Sequence, residues 1–234
     1  MKRDAAGITR LDIITRHAMR KALRAFGLVT VRERENDFIL ESLQQISQED
    51  KQGPLKVMDI GSASSLLPLR LARLGYRVTA LDIRPYPFDH RNLTFIQANI
   101  TDSGFRSDVE FQDVVVCVST LEHIGIGYYG DKMALEGDKL ALEAMHEIIK
   151  PGGGLLLTVP FAGQFRRDDY QRIYDPEVIG VLFSTGWRLR REIYFVPKGT
   201  RNWVPAPKTD AIMRHEAYPE SNNACFWFEA VHTN

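Results

Sequence analysis

The feature that most constrains this chain is a change of pattern at Leu55. From there on, short apolar runs alternate with helical stretches, the arrangement of a mostly parallel sheet wrapped by helices. The runs 55–60 (LKVMDI), 76–81 (YRVTAL), 93–97 (LTFIQ), 113–118 (DVVVCV) and 154–159 (GLLLTV) read as strands. Helices fit between them at 65–74, 138–149 and 176–184. Two further apolar runs, 187–196 and 224–231, flank a long polar segment, 197–222, and predict an antiparallel hairpin at the sheet edge. The expected architecture is therefore α/β: a three-layer, doubly wound, mostly parallel seven-stranded sheet with an antiparallel final hairpin, preceded by N-terminal helices. Residues 8–27 read as a basic amphipathic helix carrying Leu11, Ile14, Ala18, Ala22 and Phe26, stopped by Gly27. A second helix is expected over 36–48, followed by the polar break EDKQGP at 49–54. The chain thus divides into an N-terminal helical extension, 1–54, and a main domain, 55–234.

Composition narrows the function. The chain has 234 residues, 44% hydrophobic and 26% charged, which is ordinary for a globular protein able to build a core without staples. Lys+Arg and Asp+Glu both number 30, so the net charge is zero and a nucleic-acid partner is not expected. The charge is uneven, however: residues 1–34 hold nine basic and three acidic side chains, a net +6, leaving −6 for the rest. Cys117 and Cys225 lie in apolar runs with no metal-type spacing, so they read as reduced core residues of a cytoplasmic protein. No run approaches the ~18 apolar residues of a membrane span, and no signal-peptide block follows the basic start.

The densest motif is VMDIGSASSLLPLRLARLGYRVTALDI, residues 57–83. A buried strand ends in Asp59-Ile60-Gly61, a small-residue turn follows, and the next strand ends in Asp82. Small residues let a ligand approach the backbone, and an acid ~20 residues on commonly holds ribose hydroxyls. Dinucleotides and S-adenosylmethionine both use this geometry. The dinucleotide fingerprint fails, because Ala63 and Leu66 stand where its second and third glycines belong.

In this respect the chain resembles the class I, Rossmann-like S-adenosylmethionine-dependent methyltransferases. The resemblance runs over roughly residues 55–232, and its landmarks occur in order: Asp59 to Ser65 for the first motif, Asp82 for the ribose-binding acid, Ala98-Asn99-Ile100 for the adenine contact, STLEHI at 119–124, and LEAMHEIIKPGGG at 142–154. It implies S-adenosylmethionine as cofactor, S-adenosylhomocysteine as product, and Asp59, Gly61, Ser62, Ala63, Asp82, Ile83, Asn99, Ile100 and Ser119 as cofactor-binding residues. Ala63 and Ser65 replace two motif glycines, and Asn99 replaces the usual Asp, whose charge is lost while an acceptor oxygen remains.

The segment after the fourth strand is where this family presents acceptor-facing residues. His123 is the candidate general base, oriented by Glu122. The glycine spacing of GIGYYGD suggests a mobile loop, with Tyr128 and Tyr129 as pocket walls. Arg166 and Arg167 are candidates to hold an anionic acceptor. Asp168-Asp169 raises a divalent metal, but adjacent aspartates point apart on an extended chain and no third ligand is evident, so no metal is expected. The 197–222 insert, with Trp203, His215 and Tyr218, is expected as a substrate lid by analogy. His17, His90, His146 and His232 read as structural or exposed. The basic helix either covers the pocket or contacts an anionic membrane peripherally, which would suit a lipid-linked acceptor.

Together these point to methylation of a small molecule. The first expectation is O-methylation of a sugar or a glycan or secondary-metabolite precursor, since the N-P-P-Y type motif of amide and adenine methylases is absent. The alternatives are an RNA or protein methyltransferase, and a binding protein of the same fold that has lost catalysis.

Overall fold

The computed structural model describes residues 9–49, 53–102, 104, 109–199, 201–213 and 221–232. Helix α1 (Arg10–Ala25) opens on a reciprocal cap: the Thr9 hydroxyl accepts the Asp12 N–H at 3.2 Å, and the Asp12 carboxylate accepts the Thr9 N–H at 3.0 Å. Helix α2 (Val31–Glu49) begins ahead of the expected residue 36. Thr30 and Glu33 explain the difference, because the Glu33 carboxylate accepts both the backbone N–H (3.2 Å) and the hydroxyl (3.3 Å) of Thr30. The charged VRERE stretch hides that start from a periodicity reading.

The strands follow in chain order: β1 (Lys56–Ile60), β2 (Arg77–Asp82), β3 (Leu93–Gln97), β4 (Gln112–Val118), β5 (Ile149–Phe161), the short pair β6 (Arg166–Arg167) and β7 (Arg172–Ile173), then β8 (Trp187–Pro197), β9 (Trp203–Ala206) and β10 (Asn222–Ala230). The main sheet runs β3-β2-β1-β4-β5-β10-β8-β9, while β6 and β7 form a ribbon apart from it. β1 to β5 pair in parallel, and β10 lies antiparallel to both β5 and β8. The expected antiparallel pair is therefore present, but β10 is inserted inside the sheet rather than at its edge. The sheet also has eight strands, not seven. The extra one is β9, which pairs antiparallel with β8 from within the segment expected as a lid. It is pinned by the N-terminal region: the Trp203 N–H donates to the Val29 carbonyl at 2.8 Å, and Arg34 Nε donates to the Trp203 carbonyl at 2.7 Å. His215 and Tyr218 of that segment lie outside the described residues.

Alternation along the strands sorts the core into two layers. Val57, Val114 and Val116 meet Phe38, Ile39 and Leu43 of α2 and Leu67 and Leu71 of α3 (Leu67–Arg73). Met58, Ile60, Val115 and Cys117 meet α4 (Gly137–Ile148) and α5 (Pro176–Leu182) on the other face. Both cysteines are free and buried, Cys225 in the first layer and Cys117 in the second. The crossover from β2 to β3 carries no helix. Tyr86 and Phe88 from that crossover pack instead with Ile13 of α1, the one residue of α1 that is buried. The rest of the α1 apolar stripe faces outward: Leu11 is 72% and Phe26 84% exposed.

Candidate functional site

Ligands in open α/β sheets sit beyond the carboxyl ends of the strands. Here the ends of β1, β2 and β4 open into a cavity of 1110 Å³. β1 delivers Asp59, Ile60 and Gly61 to its floor. Gly61 has φ +82°, and a Cβ on it would collide with the Thr120 side chain, so only glycine allows these two chain segments to close together. The Asp59 side chain is buried, and its Oδ2 has no hydrogen-bond partner. Burial pushes its carboxyl up to about 8, with Arg32 opposing the rise and Asp82 adding to it.

Asp82 closes β2 and is buried. Its Oδ2 accepts the Ala63 N–H at 2.8 Å, which folds the Ser62–Ser64 turn against the strand end. Its Oδ1 accepts the Arg84 N–H at 2.9 Å, and the Arg84 guanidinium straddles both oxygens at 3.2 and 3.3 Å. The same guanidinium lies 4.6 Å from the Tyr129 ring centroid. Arg84 thus ties Asp82 to Tyr129. Nothing in the sequence singled it out beyond its place two residues after Asp82.

Ser119, at the end of β4, holds φ +44°, which is uncommon for a residue other than glycine. Its hydroxyl donates to Glu35 Oε1 at 2.5 Å. Glu35, from α2, is fully buried and also accepts from Thr158 Oγ1 (2.8 Å) and Asn223 Nδ2 (3.0 Å). One carboxylate from the N-terminal helices therefore joins the ends of β4, β5 and β10. Sequence reasoning missed it, although Glu35 stands one turn before Phe38 and Ile39 on the buried face of α2.

His123 follows in a short 3₁₀ turn, Leu121–His123. Its Nδ1 lies 2.7 Å from the Tyr170 carbonyl oxygen. A carbonyl can only accept, so Nδ1 carries the proton and Nε2 holds the lone pair of the neutral ring. Burial pushes the His123 pKa below its ordinary value, favouring that neutral form. Nε2 is 3.8 Å from Glu122 Oε1. Glu122 is buried, and burial together with repulsion from Glu35 raises its carboxyl to about 8. The His123 ring packs edge-on against Tyr129 at 5.3 Å and against Tyr170 at 4.7 Å.

The loop after His123 is tied down rather than loose. The Gly125 N–H donates to Asp131 Oδ2 at 2.7 Å, and Arg172, one of the largest fully buried side chains, donates to the Ile124 (2.8 Å) and Leu135 (3.2 Å) carbonyls. Arg172 also pairs with Asp138 at 3.3 Å, which accepts from the Tyr174 hydroxyl at 3.0 Å. Gly125, Gly127 and Gly130 all have φ near +80 to +90°. The glycines serve left-handed turns, which accounts for their spacing.

Asp59, Gly61, Asp82, Ile83, Asn99 and Ile100 line the cavity, as do Ser119, Glu122, His123 and Tyr129. Ser62 and Ala63 are buried in the turn behind its wall. Tyr128 stands in a second layer, edge-on to Tyr129 (5.0 Å) and Tyr170 (4.7 Å). Arg166 and Arg167 form β6, the exposed strand of the ribbon, and are not among the lining residues. Asp168 serves the turn of that ribbon, its Oδ1 accepting the Tyr170 and Gln171 N–H groups at 2.8 Å. That turn presents the Tyr170 carbonyl to His123. Among the described residues, no three His, Cys, Asp or Glu side chains cluster as metal ligands.

A family model described as "Caenorhabditis protein of unknown function, DUF268" matches residues 85–189. The chain is 27% identical over 163 residues to a ubiquinone biosynthesis O-methyltransferase of Methylobacterium nodulans, spanning 68% of this chain and 57% of that protein. It therefore covers less than two thirds of the length of the curated relative it matches. Among solved structures it is similar to the 1,6-didemethyltoxoflavin-N1-methyltransferase of Burkholderia thailandensis with bound S-adenosylhomocysteine (TM-score 0.56, 12% identity, 82% of this chain and 77% of that one). It is also similar to the N-methyltransferase NodS of Bradyrhizobium japonicum WM9 with the same ligand (TM-score 0.52, 16% identity, 86% and 87%). The chain thus shares the Rossmann-like fold of these S-adenosylmethionine-dependent methyltransferase structures.

Proposed function

We infer that this protein transfers a methyl group from S-adenosylmethionine to a hydroxyl of a small-molecule acceptor, with His123 as general base. The carrying observation is the His123 imidazole, which lines the cavity with its Nδ1 proton committed to the Tyr170 carbonyl, so that the lone pair of the neutral ring is on Nε2. The site fits the cofactor. Asp59, buried with an orphaned oxygen, suits a cationic ligand; Asp82 suits ribose hydroxyls once they displace the Arg84 guanidinium from it; Asn99 and Ile100 suit the adenine; and Gly61, Ser62, Ala63, Ile83 and Ser119 shape the surrounding wall. When bound, the cofactor supplies an electrophilic methyl carbon on a sulfonium. The chain's own work is to align the acceptor, exclude water and hold the hydroxyl proton at His123 Nε2. Tyr129 and Tyr170, packed on His123, offer apolar faces to an acceptor ring.

Calorimetric titration with S-adenosylmethionine and S-adenosylhomocysteine tests the cofactor, with micromolar binding of both expected. Binding of neither would overturn the reading and favour a fold that has lost catalysis. An acceptor panel of phenols and sugars with free hydroxyls then tests the acceptor. The O-methylation named for the curated relative supports the hydroxyl; the sugar is proposed from the sequence.

Residues 1–54 act in this reading as a cap on the catalytic unit 55–234, held through Glu35. The exposed stripe of Leu11, Ile14 and Phe26 beside Arg16 also supports peripheral contact with an anionic membrane. Cosedimentation with phosphatidylglycerol vesicles, lost in Phe26→Glu, is the expected result. No described helix is long and apolar enough to cross a membrane.

A further inference from the structure

The cavity has a second wall that the cofactor residues do not use. His17, Arg20 and Lys21 of α1 and Arg70 and Arg73 of α3 all line it. The acids nearby are already engaged. Asp37 pairs with Arg24 at 3.0 Å, Glu35 with Arg32 at 3.4 Å, and Glu33 accepts from the Thr30 cap. Among the described residues, this leaves Arg20, Lys21, Arg70 and Arg73 with no hydrogen bond or ion pair. Arg20 is half-buried, and burial first and the like charge of Arg32 second weigh against its charge, with Glu33 and Glu35 offsetting them in part; His17 is held down by burial and by Lys21, Arg20 and Arg70, with Glu33 opposing. Cations so gathered on one concave wall, with Glu33 and Glu35 shared among several of them and no direct ion pair to any of the four, leave a net positive surface that attracts an anion.

We propose that this wall binds an anionic group, a carboxylate or phosphate, carried by the methyl acceptor. The proposal rests on the methyltransferase reading and names the substrate class of the same cavity. Two features favour the acceptor over the carboxylate of the cofactor itself. One carboxylate cannot balance four unpaired cations. The cavity, at 1110 Å³, also exceeds the ~300–1,000 Å³ of a typical single-ligand site and leaves room for a second molecule. Arg166 and Arg167, the cations expected for this task from sequence, are replaced by arginines from the N-terminal helix and α3.

The test uses pyrophosphate as anionic probe, with S-adenosylhomocysteine and 5′-methylthioadenosine (which lacks the amino-acid carboxylate) as cofactor probes. Calorimetry is run on the full chain and on Arg70→Gln/Arg73→Gln and Lys21→Gln, whose side chains are exposed, so folding is retained and is checked by melting. The wild type should bind pyrophosphate with and without saturating S-adenosylhomocysteine. The double variant should lose about tenfold or more in pyrophosphate affinity, with S-adenosylhomocysteine affinity unchanged. If the variants instead weaken S-adenosylhomocysteine but not 5′-methylthioadenosine, the wall serves the cofactor's carboxylate and the proposal falls. It falls equally if the wild type ignores pyrophosphate or the variants bind it as well. Failure of the wild type to bind S-adenosylhomocysteine would defeat the methyltransferase reading by itself, and the pyrophosphate titration still reports whether this wall takes an anion.

Discussion

At the scale of single residues, protonation states decide what the site can do. As the proposed base, His123 must be neutral, and burial holds its pKa below the ordinary 6.5. With S-adenosylmethionine saturating, kcat should therefore stay level down through pH 6.5 and fall only at lower pH, where the ring gains its proton. A kcat profile with its acid limb above 6.5 would contradict the assignment. His123→Ala should lower kcat by ~10²–10⁴-fold with little change in S-adenosylhomocysteine affinity. Loss of affinity instead would make His123 a wall of the cofactor pocket. Asp59, with its carboxyl near 8, is mostly protonated at neutral pH. A cationic ligand brought beside it favours ionisation, so S-adenosylmethionine binding at pH 7 should release a proton. Titration in two buffers of different ionisation enthalpy measures that release, and Asp59→Asn should abolish it. The sequence located Asp59, Asp82 and His123 at or shortly beyond the carboxyl ends of apolar runs, and all three line the cavity. Glu35 and Arg84 were not legible in it. Their roles depend on partners 84 and 2 residues away, in contacts that only the assembled sheet creates.

At the scale of elements, the loop carrying His123 depends on Arg172. Its guanidinium satisfies two loop carbonyls and pairs with Asp138, so it fastens residues 124–135 to the start of α4. Arg172→Ala would leave Asp138 buried without its cation and should destabilise the protein by ~3–5 kcal/mol. Chemical denaturation measures the loss, and hydrogen exchange should quicken first across residues 121–135. A change under ~1 kcal/mol would place the restraint elsewhere, since ordinary surface substitutions fall in that range. The parallel strands β1 to β5 were readable because buried parallel strands are continuous apolar runs. β9 was not: it is four residues long, contains Pro205, and sits at an edge, where proline is tolerated. The early start of α2 was likewise hidden, since its first turn is charged and is fixed by capping rather than by an apolar face.

At the scale of the whole molecule, two buried acids make stability depend on pH. Asp59 and Glu122 both rise to about 8 in the folded protein, from ordinary values of 3.8 and 4.5. The folded state binds these protons more tightly than the unfolded chain. Their stabilising contribution is full below about pH 4 and is lost progressively as pH rises through 8. Tm should therefore decline from pH 5 to pH 8, and Asp59→Asn with Glu122→Gln should flatten that decline. An unchanged slope in the double variant would assign it to other groups. The same scale shows a cost of the topology. β10 lies between β5 and β8, yet among the described strands it is the last to be synthesised. At ~5–20 residues per second, the ribosome needs on the order of 2–7 s after finishing β8 to deliver it. During that interval β5 presents an open hydrogen-bonding edge, and β8 and β9 have no place to dock. A nascent chain in that state is a natural client for chaperones, and a message cut short before codon 222 would yield a product that aggregates rather than a slightly weakened enzyme.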